Sequence, residues 1–147
     1  MEEWDKKTVV ISTAWLVVWI GFGIFALYLH NLLLPYIYFV LAIAVYITHA
    51  YFACTRCFYY GKMCYILGGL ISPRLFKARR QGPLDPDDAV VGTIWMILGA
   101  FPLPFLIYYQ DWLLTFVYLS LTVGWFYYRK RIVCVKCKNA WCGFKPK

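Results

Sequence analysis

From Thr8 to Ala53 the chain carries no Asp, Glu, Lys or Arg, and from Ala89 to Tyr128 it carries only Asp111. About a quarter of the residues of a soluble domain are charged; here 15% are, against 63% apolar. Disordered and fibrous chains are excluded as well, since both need polar or strictly repetitive compositions. An integral membrane protein remains. About 20 residues cross the hydrocarbon core, so each uncharged stretch is long enough to cross and return, and each contains a break. His30, Asn31 and Pro35 mark the first return; Gln110 and Asp111 mark the second. The pattern predicts one all-α membrane domain over 1–147. It has four transmembrane helices, near 8–29, 36–53, 89–109 and 112–128, with a cysteine-rich loop over 54–88 and a tail over 129–147.

The basic residues give the orientation. Lys6 and Lys7 precede the first span. Arg56, Lys62, Arg74, Lys77, Arg79 and Arg80 lie between the hairpins. Arg129, Lys130, Arg131, Lys136, Lys138, Lys145 and Lys147 follow the last span, and neither hairpin turn has any. The positive-inside rule puts these three segments, and so both termini, in the cytoplasm. The net charge of +8 is then a topology signal, and the expected membrane is a cell's inner (cytoplasmic) one. Arg74, Lys77, Arg79, Arg80, Arg129, Lys130 and Arg131 are the expected lipid-headgroup contacts. Nucleic acid is not an expected partner, because the basic residues have no separate domain to sit on. The acidic start (Glu2, Glu3, Asp5) and long first apolar run argue for a retained helix over a cleaved signal peptide.

Each hairpin is followed by a cysteine cluster, so the chain reads as two copies of one unit. The first cluster is Cys54, Cys57 and Cys64; the second is Cys134, Cys137 and Cys142. All six fall on the expected cytoplasmic face, where a disulfide framework is disfavoured. A CxxC lets two sulfurs reach one metal, and two pairs complete a tetrahedral Cys₄ site. Zinc held by Cys54, Cys57, Cys134 and Cys137 would staple the hairpins together, with Cys64 and Cys142 as further ligands. An iron–sulfur cluster would use the same thiolates and is the alternative cofactor. Thiol–disulfide exchange by one CxxC pair is the other chemistry open to these residues. Arg56, Lys62 and Lys136 are expected to lower the nearby thiol pKa values.

Other signals are weaker. Ser72 and Pro73 read as a helix cap and first position, followed over 74–80 by a turn in the interface plane, with a plain loop as the alternative. Asp85 to Asp88 reads as the start of the third span; a Ca²⁺ or catalytic role is the alternative. Pro102 and Pro104 predict a kink there, as against a broken helix lining a cavity. Trp15, Trp19 and Phe22 share one helix face, suited to bundle packing or lipid, or to flanking a quinone or haem. Gly21, Gly23, Gly92, Gly99 and Gly124 would allow close helix approach. His49 is expected to hydrogen-bond a neighbour, with metal ligation or proton transfer as the alternative, and His30 to be solvated. The span interiors have no ionisable carboxylate, Lys or Arg of the kind ion-coupled transporters use. P-loop, GxSxG and HExxH motifs are absent.

The run Cys54-Thr-Arg-Cys57-Phe-Tyr-Tyr-Gly-Lys-Met-Cys64, with Gly68-Gly69, Phe76-Lys77 and the distal Cys134, Cys137 and Cys142, resembles a pattern in small uncharacterised prokaryotic four-helix membrane proteins. That resemblance implies the two-cluster layout and no particular activity. In size and helix count the chain also resembles quinone-linked disulfide enzymes, which usually carry their exchanging cysteines on the opposite face. The function expected is an accessory, assembly or electron-transfer subunit of a larger membrane complex, partnered by other membrane subunits. A membrane thiol–disulfide oxidoreductase is the alternative.

Overall fold

A computed structural model describes residues 4–79 and 86–137, and of 86–90 the backbone only. Among the described residues the chain is helical, with no strand. The helices are α1 (Lys6–Tyr28), α2 (Leu34–Phe52), α3 (Gly68–Leu75), α4 (Pro86–Ala100), α5 (Pro102–Tyr108), α6 (Trp112–Tyr128) and a final turn α7 (Cys134–Lys136). Three apolar stretches are helical and long enough to cross a membrane: Lys6–Tyr28, Leu34–Arg56 and Val91–Tyr108. α6 has 17 residues.

Local chemistry sets the ends of these helices. Asp5 caps α1, its carboxylate accepting from the Lys7 N–H and the Thr8 hydroxyl, each at 3.4 Å. Asn31 Oδ1 accepts from the Leu33 N–H at 2.8 Å, and Pro35 then sits in the first turn of α2. At the second turn Gln110 takes a left-handed conformation (φ 57°), and Asp111 caps α6 through the Leu114 N–H at 3.2 Å. His30 bridges the two turns. Its ring stacks on Tyr109 with centroids 4.5 Å apart, and Nε2 lies 3.5 Å from Asp111 Oδ2. The expectation of a solvated His30 is thus corrected: the opposite hairpin turn covers it.

The helices form a closed ring in which α1 packs on α2 and α6, α2 on α4, and α5 on α6. The third helix divides at Phe101. Its α4 half packs on α2, whereas its α5 half crosses to α1 and α6. Pro102 and Pro104 begin α5, where a missing N–H matters least. The Phe101 N–H still donates to Ile97 O at 2.9 Å, so the break is a kink.

Trp19, Leu27, Tyr38, Leu98, Leu106 and Tyr118 are wholly buried at the centre of the ring. Several polar groups there are paired. Trp19 Nε1 donates to Thr122 Oγ1 at 2.8 Å, Thr122 donates to Tyr118 O at 2.9 Å, and the Tyr38 and Tyr118 hydroxyls lie 3.2 Å apart. A Cβ on Gly23 would meet the Tyr38 ring at 2.8 Å and one on Gly124 the Trp15 ring at 2.9 Å, while one on Gly99 would lie 3.1 Å from Trp19. Gly21 faces open space, so close approach does not explain it. Outside the ring, large apolar side chains stand exposed, among them Val10, Val17, Phe39, Val40, Leu113 and Phe116.

Candidate cysteine site

The two CxxC motifs adopt the same backbone shape. After α2, Cys54–Arg56 forms a 3₁₀ turn, the Cys57 N–H donates to Cys54 O at 3.2 Å, and Cys57 is extended (φ −77°, ψ 147°). After α6 a π-helical turn, Arg129–Val133, leads into α7. There the Cys137 N–H donates to Cys134 O at 3.3 Å, and Cys137 is extended (φ −72°, ψ 127°). In each motif the first cysteine is buried and the second half-exposed. None of the five described cysteines is in a disulfide; Cys142 lies outside the described residues.

The segment 57–67 folds back to bring in Cys64. The Lys62 N–H donates to Tyr59 O and the Leu67 N–H to Cys64 O, at 3.0 and 3.1 Å. Gly61 then donates to Gly69 O at 2.9 Å. A Cβ on Gly69 would collide with the carbonyl oxygens of Tyr59 and Lys62, and one on Gly68 would lie 2.9 Å from Cys54 Sγ. Ser72 and Pro73 do not begin a helix here. They lie inside α3, and Ser72 Oγ donates back to Gly68 O at 2.6 Å. The carbonyl that Pro73 leaves without a helical donor belongs to Gly69, and Gly61 supplies the bond instead. A serine can cap the start of a helix or bond back four residues within one; the loop contact selects the second.

Cys64 joins the two clusters. It is buried with Trp4, Val9, Tyr59 and Val133, and Cys57 and Cys137 pack against the same group. It lies within electrostatic reach of Cys54 and Cys137. Tyr65 beside it interacts with Cys54, Cys64 and Cys134. Cysteines from both hairpins therefore face one locus, with Cys64 in the middle where a peripheral ligand was expected. Among the described residues, however, no group of three or more His, Cys, Asp or Glu is arranged to hold a metal ion.

The expected lowering of the thiol pKa values fails at Cys64. Burial pushes its thiol up to about 12, and neighbouring Cys54 adds to the rise. Desolvation acts directly on the buried anion, and the backbone hydrogen bonds at Ile66 and Tyr65 offset only part of it. With iodoacetamide on metal-free protein, we expect Cys57 and Cys137 to label first and the two most strongly raised thiols, Cys54 and Cys64, last. Because the Cys64 value is raised, its rate should still be climbing at pH 9, where about one thiol in a thousand is ionised. Peptide mapping by mass spectrometry reads this; Cys64 labelling as fast as Cys57 would contradict the burial argument.

The basic residues divide. Arg74, Lys77, Lys130 and Arg131 are exposed. Arg79 is half-buried, with its backbone N–H on Thr55 O at 2.9 Å and its guanidinium over the Tyr51 ring. Arg80 lies outside the described residues, as does Asp85, the expected cap of α4. Arg129, expected at the headgroups, is buried with its guanidinium over Tyr65, 5.8 Å from the ring centroid, and in electrostatic reach of Cys54. The π turn that begins at Arg129 has no signal in the sequence; a basic triplet after an apolar run reads as surface. His49 is buried and its Nδ1 accepts from Trp95 Nε1 at 3.1 Å, as expected for a packing histidine. The chain matches no protein-family model, no curated protein and no solved structure.

Proposed function

We propose that this chain is a four-span protein of the cytoplasmic membrane, both termini inside, whose cysteine face holds a thiolate-bound metal. Zinc is the metal we favour and an iron–sulfur cluster the alternative. The observation that carries this reading is the matched pair of CxxC turns, one at the end of each hairpin, with Cys64 packed between them. Two such turns supply four soft donors from separate helices, the donor set of a structural Cys₄ site. For the fourth span, α6 exposes Leu113, Phe116, Leu119 and Val123, and its 17 residues lie within the spanning range of about 17–25. The absence of Lys and Arg from both hairpin turns supports the orientation.

In this role Cys54, Cys57, Cys134 and Cys137 hold the metal and staple the hairpins, with Cys64 and Cys142 as further ligands. The exposed apolar helix faces and the small extramembrane mass suit an accessory, assembly or electron-transfer subunit of a larger membrane complex. Elemental analysis and an absorption spectrum, on protein purified without oxygen or chelator, test it. We expect one zinc per chain and no visible colour. Thiolate–zinc binding contributes on the order of 10 kcal/mol to folding, so Cys57→Ser should lose the metal and lower the thermal midpoint sharply. Iron with sulfide would select the alternative metal. Metal-free protein whose Cys57→Ser variant keeps its stability but loses thiol–disulfide exchange would reject the metal site. It would favour the second reading, a membrane thiol oxidoreductase, which the half-exposure of Cys57 and Cys137 supports.

A further inference from the structure

A groove of about 640 Å³ runs along the outer face of α1. Val10, Ala14, Val17 and Val18 line its length, and Met63 and Leu67 of the cysteine loop border it. Lys6 stands at one end. No acidic residue lines the groove, and the nearest in sequence, Asp5, is engaged in capping α1. Two features of the wall stand out. The Thr13 hydroxyl is enclosed yet has no hydrogen-bond partner. Leu67 is held at φ 60°, a left-handed conformation that non-glycine residues rarely adopt.

We propose that this groove binds one anionic phospholipid, its phosphate at Lys6 and an acyl chain along α1. The proposal rests on α1 crossing a bilayer with Lys6 at the cytoplasmic surface, and it is independent of the cysteine chemistry. Charge complementarity selects the occupant: a predominantly apolar trough ending in a lysine matches a lipid that pairs hydrocarbon with a negative headgroup. The dimensions agree. From Lys6 to Val18 the helix rises about 18 Å, and one leaflet of a hydrocarbon core is about 15 Å deep.

Native mass spectrometry of the detergent-purified full chain tests this, with phosphatidylglycerol and phosphatidylcholine of equal chain length added in turn. We expect one phosphatidylglycerol per chain to survive activation that strips phosphatidylcholine. Ala14→Trp, at an exposed position that fills the trough, should abolish the retained lipid without unfolding the protein. Lys6→Glu should reduce the preference for the anionic lipid at least about fivefold. Equal retention of the two lipids, or a retained lipid undisturbed by Ala14→Trp, would overturn the proposal in favour of bulk bilayer contact. A dimer that Ala14→Trp dissociates would assign the groove to a second copy of the chain. Protein that stays in solution without detergent would instead reject the membrane reading itself.

Discussion

Replacing Gly69 by alanine should abolish the folded cysteine loop. The added Cβ would overlap two backbone oxygens, those of Tyr59 and Lys62, and backbone cannot yield as the tip of a flexible side chain can. The same turn supplies the Gly61 N–H to Gly69 O, so relief of the clash removes the bond that replaces the one Pro73 cannot make. We expect a loss of about 4 kcal/mol or more, the range of changes that break a defined backbone contact. Fast alkylation of Cys64 in the variant would report it. Gly21→Ala is the control: its Cβ meets nothing and should leave stability unchanged or raise it by up to about 1 kcal/mol. Equal behaviour of the two variants would contradict the described path of the loop.

Trp19→Ala should have the next largest effect. Trp19 is fully buried, its ring lies 6.3 Å from both Trp95 and Phe126, and its Nε1 holds Thr122. Emptying such a site in a soluble core costs about 3–5 kcal/mol. Within a bilayer the transfer part shrinks, because lipid is as apolar as the bundle interior, and the cavity and the lost hydrogen bond remain. We therefore expect about 3 kcal/mol, read as a lower thermal midpoint in detergent. Trp19→Phe should recover most of it, since Thr122 keeps its bond to Tyr118 O. A Trp19→Ala midpoint equal to that of the parent would mean that the ring of helices does not close around this residue.

The features legible in the sequence are those written by local chemistry. A long run without charge requires helix, and Asn31 before Pro35 turns the chain whatever surrounds it. The prolines at 102 and 104 kink the third helix for reasons internal to the helix. The features that were not legible depend on which segments meet. Capping and back-bonding use the same residue at Ser72, and only the Gly61–Gly69 contact separates them. Arg129 sits in a basic triplet, and nothing in that triplet says that a π turn will bury one of its members. The charges flanking the cysteines in sequence suggested lowered thiol pKa values, but burial governs Cys64, and burial is a property of the assembled loop. His30 likewise looked solvated until the second hairpin turn came to rest on it.

The kink at Phe101 has a mechanical meaning. Two hairpins laid side by side make a parallelogram, and a parallelogram can rack: one side slides along the other while every helix keeps its length. The third helix runs corner to corner, braced on α2 through α4 and on α1 and α6 through α5. A frame with a diagonal member does not rack. The two cysteine turns hang from α2 and α6, the two members this diagonal braces, so their relative placement is set by the helices above them as well as by Cys64 between them.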